Sequence, residues 1–360
     1  MGKRNHVPFD VFAMQVDVPV SAMVSDSGYG WTCGQCPLDQ HGQVVAPGEL
    51  LTQAAFVCDM IESVVHRGGF NVASVGKLNV YFAESDAGEG ASALRIFQDR
   101  FQHQPVIVPI PVPHFYYDGM MIEVDVFLGV RTVARSTKAA GNIDLQLAES
   151  GEIVWASVCA GLEGDDDLSL CLKDISSALD LEGLSAGQLI SDHWFVSSSI
   201  DEHTRYGFIE NDLITNPDAA VIVETHGRKC VTGALTFCAG GAPGELITHD
   251  DRELRAFTRT NDSTCWVSSI CADPTGSLVE QTQVIMSGIE KSLAAQSMSF
   301  SNVTKLTAHY VGGASAEELH GNMSVRHSYY SNPGPASTGL PVSGLLNSDC
   351  KISIDVMALA

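Results

Sequence analysis

The sequence predicts an α+β protein made of three tandem, diverged copies of one module, each a mixed β-sheet with two helices on one face, packed together as a single-chain pseudo-trimer. Two observations carry this reading. A helical run followed by a strand occurs three times, the first two runs closed by glycine, and the strands begin at Lys77, Ile190 and Val303, one period apart. Strand pairs also flank each of these units on both sides. Self-similarity at a regular period is the signature of a supersecondary unit written more than once.

The first helix is read over 50–67, with apolar residues Leu51, Ala55, Val57, Cys58, Ile61, Val64 and Val65 at helical spacing and Gly68-Gly69 as the stop. Its counterparts run over 168–182, stopped by Gly183, and over 280–296. Strand pairs precede them in WTCGQCPLD, EIVWASVCAGL and STCWVSSICAD. Others close each copy: VIVPIPV with MMIEVDVFL, AAVIVET with KCVTGALTF, and STGLPVSGLL with CKISIDVMA. Weaker second helices are placed at 91–101, 202–209 and 317–330, giving β-β-α-β-α-β-β per copy. The copies are bounded at 1–128, 129–238 and 239–360. A sheet covered by helices on one face must bury the other, and three such faces can close on each other.

Composition sets the limits on function. Hydrophobic residues make up 45% and charged residues 18%, which suits a globular chain without long disordered tails. The formal charge of −23, from 43 acidic and 20 basic residues, repels phosphate backbones, so no nucleic-acid partner is expected. The N-terminal MGKRNHVPFD lacks an apolar core and no run of 18 apolar residues occurs, so neither secretion nor a membrane partner is expected, and the location is read as cytoplasmic. Cys33 and Cys36 have C-x-x-C spacing, but no second Cys/His pair lies at partner distance and CGQC occupies a strand end rather than a helix start. Cys58, Cys159, Cys171, Cys230 and Cys350 lie in apolar runs and read as small core residues. No metal and no cofactor is expected. The segment 238–244 follows no phosphate-cradle pattern and reads as a junction between copies.

Several residues suggest chemistry. Glu123 alternates with Met121 and Asp125 on an apolar strand, where burial would raise its pKa toward the range of a general acid or base; pairing with a basic neighbour across the sheet is the alternative. The cations available are Arg255, Arg259, Arg326, Arg205, and Arg228 with Lys229. His193 and His309, at matching strand positions, read as core groups. The run His114-Phe115-Tyr116-Tyr117 reads equally as a pocket wall or a packing turn.

The segment Gly34-Gln35-Cys36-Pro37-Leu38-Asp39 resembles the SGQxPLD segment of the Rid/YjgF family. The ending Gly119-Met-Met-Ile-Glu123-Val-Asp125 and the last strand from Asp349 to Ala358 are similar to that family too. The resemblance covers about 20–128 and 250–360 and fades between them. It implies a chorismate-mutase-like fold, a trimer of modules with pockets at the interfaces, and hydrolytic deamination of enamines and imines such as 2-aminoacrylate to keto acids. In that family an Arg opening the penultimate strand holds the substrate carboxylate, a Glu in the last strand positions water, and a Tyr, an Asn and backbone groups complete the pocket.

Carried over, the Glu position falls on Glu123, near Val231, and on Ser353; the Arg position falls on Val108, about Asn216, and Thr338. The Asn position is met by Asn322, and the Tyr position falls on Val20 and Arg255. The family's arginine is therefore missing from its usual place in every copy, which implies one specialised site rather than three. Glu123 is the expected catalytic residue, with Gly34, Gln35, Arg255, Asn322 and Thr338 expected to bind substrate. The function expected is that of a diverged Rid-type hydrolase or lyase acting on a small imine, enamine or enol acid, a carboxylic acid in any case. A chorismatase-like enzyme on a cyclic or aromatic acid and a non-catalytic metabolite binder are the alternatives. Further self-association of the pseudo-trimer stays open.

Overall fold

The structure is a computed structural model, and it describes residues 4–14, 16–130, 133–140, 142–162, 168–201, 211–239, 246–250, 254–260, 264–271, 275–312 and 316–360. Among these are three mixed sheets and five α-helices. The first sheet holds β1 (Asn5–Pro8), β2 (Ser21–Asp26), β3 (Tyr29–Thr32), β4 (Val75–Phe82), β5 (Val106–Pro111) and β6 (Ile122–Leu128), in the order β1-β2-β3-β6-β4-β5. The second holds β7 (Val133–Ala140), β8 (Ile143–Ser150), β9 (Ile153–Gly161), β10 (Leu189–Ser197), β11 (Val221–Val223) and β12 (Cys230–Cys238). The third holds β13 (Leu246–Asp250), β14 (Leu254–Thr260), β15 (Thr264–Cys271), β16 (Val303–Tyr310), β17 (Ala336–Pro341) and β19 (Ile352–Leu359). The short β18 (Gly344–Leu345) leaves the third set to pair with β11 at the edge of the second sheet, Val221 opposite Leu345.

All three sheets share one order: a meander of three strands, then the last strand, then the strand after the first helix, then its parallel neighbour. Three strands, not the expected two, precede each helix. The segment Cys33–Asp39, read as strand, is instead a loop that touches β6 through a single bridge, Gln35 to Val124.

Helices α1 (Leu50–Arg67), α3 (Leu168–Leu181) and α4 (Leu278–Ala295) follow the meanders; α2 (Glu89–Arg100) and α5 (Ala316–His327) follow β4 and β16. The expected helix at 202–209 falls outside the described residues. Helix α1 ends as its glycines require: Gly69 takes φ +81°, while Phe70 N–H donates to Val65 O at 3.0 Å. In α4, Ser277 and Glu280 form a reciprocal capping box, so the helix starts two residues before the apolar pattern suggested.

The buried face of α1 is one residue out from the reading at its start. Leu51 and Ala55 are exposed, while Leu50 and Ala54 are buried. Gln53 explains the register. Its buried amide donates to Ala46 O at 3.0 Å and Gly119 O at 2.8 Å and accepts from Met121 N at 2.7 Å, tying the helix to the entry of β6. Gln281 of α4 likewise accepts from Lys351 N at 2.8 Å, ahead of β19.

Helix-free sheet faces meet at the centre, where rings from β4, β10 and β16 cluster. His309 lies 6.2 Å from Tyr81 and 5.7 Å from Phe195 between ring centroids. Trp155 of β9 fills the space over Gly76, where a Cβ would come within 2.0 Å of the indole. Polar contacts join the sheets as well: Lys305 pairs with Asp125 at 2.9 Å and donates to Thr338 Oγ1 at 2.6 Å and Thr32 O at 3.0 Å. Thr338 in turn donates to Asp125 at 2.5 Å.

Both charges of that pair are buried. Lys305→Met strands the Asp125 carboxylate, so urea unfolding is expected to show a loss of about 3–5 kcal/mol. The double variant with Asp125→Leu is expected to recover much of it. An effect of Lys305→Met below about 1 kcal/mol would mean the pair is solvated. No described helix is long and apolar enough to cross a membrane.

Candidate functional site

A cavity of about 120 Å³ opens between residues contributed by 9–123 and by 319–341. One wall is built by β6 and the loop before α1. Residue alternation turns Glu123 into the cavity, and Gly34 crosses directly over its carboxyl: a Cβ there would fall 1.6 Å from Glu123 Oε1. The main chain of Gln35 locks this loop in place, pairing with Val124 through N–H···O bonds of 2.9 and 3.1 Å.

Glu123 is buried, with Tyr81 as its neighbour across the β4–β6 ladder, and no basic residue pairs with it among the described residues. Burial first, then the nearby charge of Asp125, push its pKa up to about 8; Lys305 draws it back. At neutral pH the group is therefore a carboxylic acid with a proton to give. The Cys36 thiol beside it is itself pushed well up by burial and by that carboxyl, and Cys33 reaches about 12, so both thiols stay protonated. Neither behaves as an activated nucleophile.

The opposite wall is the inner face of α5 with β17. Arg326 is almost fully buried; its Nε donates to Asn322 Oδ1 at 2.6 Å, and its Nη1 has no hydrogen-bond partner among the described residues. Gly339 of β17 makes room for it, because a Cβ there would lie 2.7 Å from Arg326 Nη2. Burial lowers the guanidinium to about 10, with Tyr310, Tyr330 and Tyr116 opposing the shift, so it stays charged. No described carboxylate forms a salt bridge with it. A buried, fork-shaped cation with an open nitrogen is suited to a ligand carboxylate.

Flat aromatic side chains line the same cavity as the acid and the cation. Phe115, Tyr116 and Tyr117 line the cavity, with Tyr116 stacked on Tyr310 at 5.7 Å, and Phe9 and Phe12 pack edge to face at 4.9 Å on the N-terminal arm. Such walls favour a planar, unsaturated body.

Of the residues expected to act on or bind substrate, Glu123 and Gly34 line this cavity, as do Arg326 and the aromatic run Phe115-Tyr116-Tyr117. Asn322 is buried behind the wall and orients Arg326. Gln35 turns its amide into its own loop, donating to Cys33 O at 2.9 Å. Thr338 points away into the Lys305–Asp125 network. Arg255 lies on β14 opposite Ile270, at the far side of the third sheet from β17, and its side chain falls outside the described residues. His193 and His309 belong to the central cluster, where burial drives both to about 3 and keeps them neutral. Arg326 was one cation among several, and its pairing with Asn322 was missed; the spacing of Asn322 and Arg326, one helical turn apart, was the available signal. Nothing in the sequence pointed to the arm at Phe9 and Phe12.

The glycine at 34 gives a sharp test. Gly34→Ala must displace the Glu123 carboxyl or the loop, so a measurable fall in melting temperature is expected. A wild-type melting temperature in that variant would show that the close approach is unimportant.

No family model matches the chain, and no curated protein matches it. Among solved structures it is similar to a chorismatase, at 13% identity and TM-score 0.48 over 79% of this chain and 93% of that one. It is also similar to E. coli TdcF with bound serine, at 19% identity and TM-score 0.30 over 37% of this chain and 99% of that one. The YjgF gene product of E. coli gives 19% identity and TM-score 0.30 over 35% and 99%. These likenesses are distant, and the reading of the cavity rests on its own geometry.

Proposed function

We propose that the chain is three copies of one module, 1–128, 129–238 and 239–360, closed as a single-chain trimer, and that the cavity between the first and third copies is an enzyme site for a small unsaturated carboxylic acid. The observation that carries this reading is a buried Glu123 carboxyl and a buried, incompletely bonded Arg326 lining one cavity, and burial raises the Glu123 pKa so that it holds its proton. Arg326 holds the carboxylate, and the aromatic walls hold the unsaturated body. Glu123 gives its proton to the substrate's enamine carbon, imine nitrogen or enol-ether carbon. The resulting iminium or oxocarbenium centre takes up water and releases ammonia, or an alcohol, and a keto acid. The SGQxPLD-like segment around Gly34 supports the same class of reaction. A single buried arginine with an open nitrogen among the described residues supports one working site per chain.

A cyclic or aromatic enol-ether acid is the second reading, favoured by the tyrosine and phenylalanine walls. Both readings are tested by incubating the chain with enamine acids generated in situ and with enol-ether acids, and measuring keto-acid release. Release that disappears in Glu123→Gln supports the proposal. Binding of these acids without turnover of any would reduce the chain to a metabolite binder.

A further inference from the structure

His327 follows Arg326 on α5 and lines the same cavity, and its hydrogen bonds fix its tautomer. Nδ1 lies 2.8 Å from Met323 O, an atom that can only accept, so Nδ1 carries a proton. Burial first and the Arg326 charge second drive the ring's pKa down to about 3, which leaves it neutral with Nε2 as a bare acceptor. The only described donor to Nε2 is the Ser337 hydroxyl, at 3.0 Å. The proton of Ser337 is thereby committed to His327, and what Ser337 Oγ can still offer is lone pairs.

Ser337 shares the cavity face of β17 with Gly339, the residue packed against the guanidinium. Alternate residues of a strand are about 6.6 Å apart, so the hydroxyl lies within the span of one small ligand held by Arg326. One end of the cavity thus combines a donor-only cation with a neighbouring acceptor-only oxygen. A ligand must match both: an anionic oxygen for Arg326, and a polar hydrogen for Ser337. An ammonium group would meet the guanidinium charge, so a neutral hydroxyl is the fitting donor.

Resting on the site proposed above, we infer that its substrate is a hydroxy acid, with Ser337, held by His327, as the residue that selects the hydroxyl. Ser337 is here a specificity residue and His327 a positioning residue. A site built to satisfy a hydroxyl discriminates against the analogue lacking it, because the half-buried acceptor facing the cavity is then left unpaired.

The test is isothermal titration calorimetry on the full chain with two matched pairs: phenylacetate against mandelate, and 3-phenylpropanoate against 3-hydroxy-3-phenylpropanoate. In wild type, the hydroxylated member of at least one pair is expected to bind about five- to tenfold tighter. Ser337→Ala is expected to erase that preference by weakening the hydroxy acid alone, and His327→Gln to reduce it, while Arg326→Lys weakens both members equally. Equal affinities within both pairs, or a preference that survives in Ser337→Ala, would overturn the inference. Loss of binding in Arg326→Lys with no hydroxyl preference would do so while leaving the site proposal standing; binding indifferent to Arg326 would remove the site proposal itself.

Discussion

Replacing Arg326 by lysine is expected to weaken binding of small carboxylic acids at least tenfold, and replacement by methionine about a hundredfold or more. A ligand carboxylate in a water-poor cavity needs both a charge and donors in fixed directions. Arginine supplies both, and here Nε is already spent on Asn322 at 2.6 Å, which aims the remaining nitrogens. Lysine keeps the charge but loses the fork, and its shorter reach from α5 leaves the carboxylate only partly bonded. Hydrogen bonds to charged groups contribute about 1.5–3 kcal/mol each, which sets the size of the loss. Because the residue is buried, unfolding must be followed in parallel. The discriminating control is the ligand's uncharged amide, whose weaker binding should change little in either variant. Equal loss for acid and amide would assign Arg326 a packing role only.

Glu123→Gln is the second large effect. Removing a positioned general acid costs about 10²–10⁴-fold in turnover. In wild type the acid form dominates below the folded pKa of about 8, so turnover should be level below that pH and fall about tenfold per unit above it. Stability should move the other way between the two proteins. The folded pKa of Glu123 lies above the ordinary glutamate value of 4.5, so its contribution to stability is complete below about 4.5 and is lost as pH rises through about 8. The glutamine variant carries no such loss. It is expected to melt higher than wild type at pH 8, with the difference closing near pH 4. A variant both less active and more stable at alkaline pH is the mark of a carboxyl kept buried for its chemistry. A wild-type pH profile that rises through pH 8 would make Glu123 a base or a bystander.

The architecture was largely legible because its signals are periodic. Helix stops at Gly68-Gly69 and Gly183, and strands that follow each helix, such as Val75–Phe82, follow from local chemistry. Details that long-range contacts decide were not legible. Gln53 shifts the buried face of α1 because its amide is needed at Gly119 and Met121, far along the chain. The loop after β3 abandons the strand conformation so that Gly34 can cross Glu123.

The site was half visible for the same reason. Glu123 and Gly34 lie in segments whose pattern is local. Arg326 acquires its meaning only when α5 of the last third closes on β6 of the first, across some two hundred residues of chain. Thr338 was expected at the carboxylate because it occupies the arginine position of a resembling strand, yet strand alternation turns it to the Lys305–Asp125 pair. Its neighbours Ser337 and Gly339 take the cavity face instead.

Binding of an acid between Arg326 and Glu123, in the cavity shared by the first and last thirds of the chain, would be seen in a crystal structure of the protein grown with mandelate. Density is expected in that cavity alone, with the carboxylate on the Arg326 guanidinium, the ring against Tyr116 and Tyr117, and the ligand within reach of the Glu123 carboxyl. Full-occupancy density at another site with this cavity empty, or a carboxylate turned away from Arg326, would contradict it.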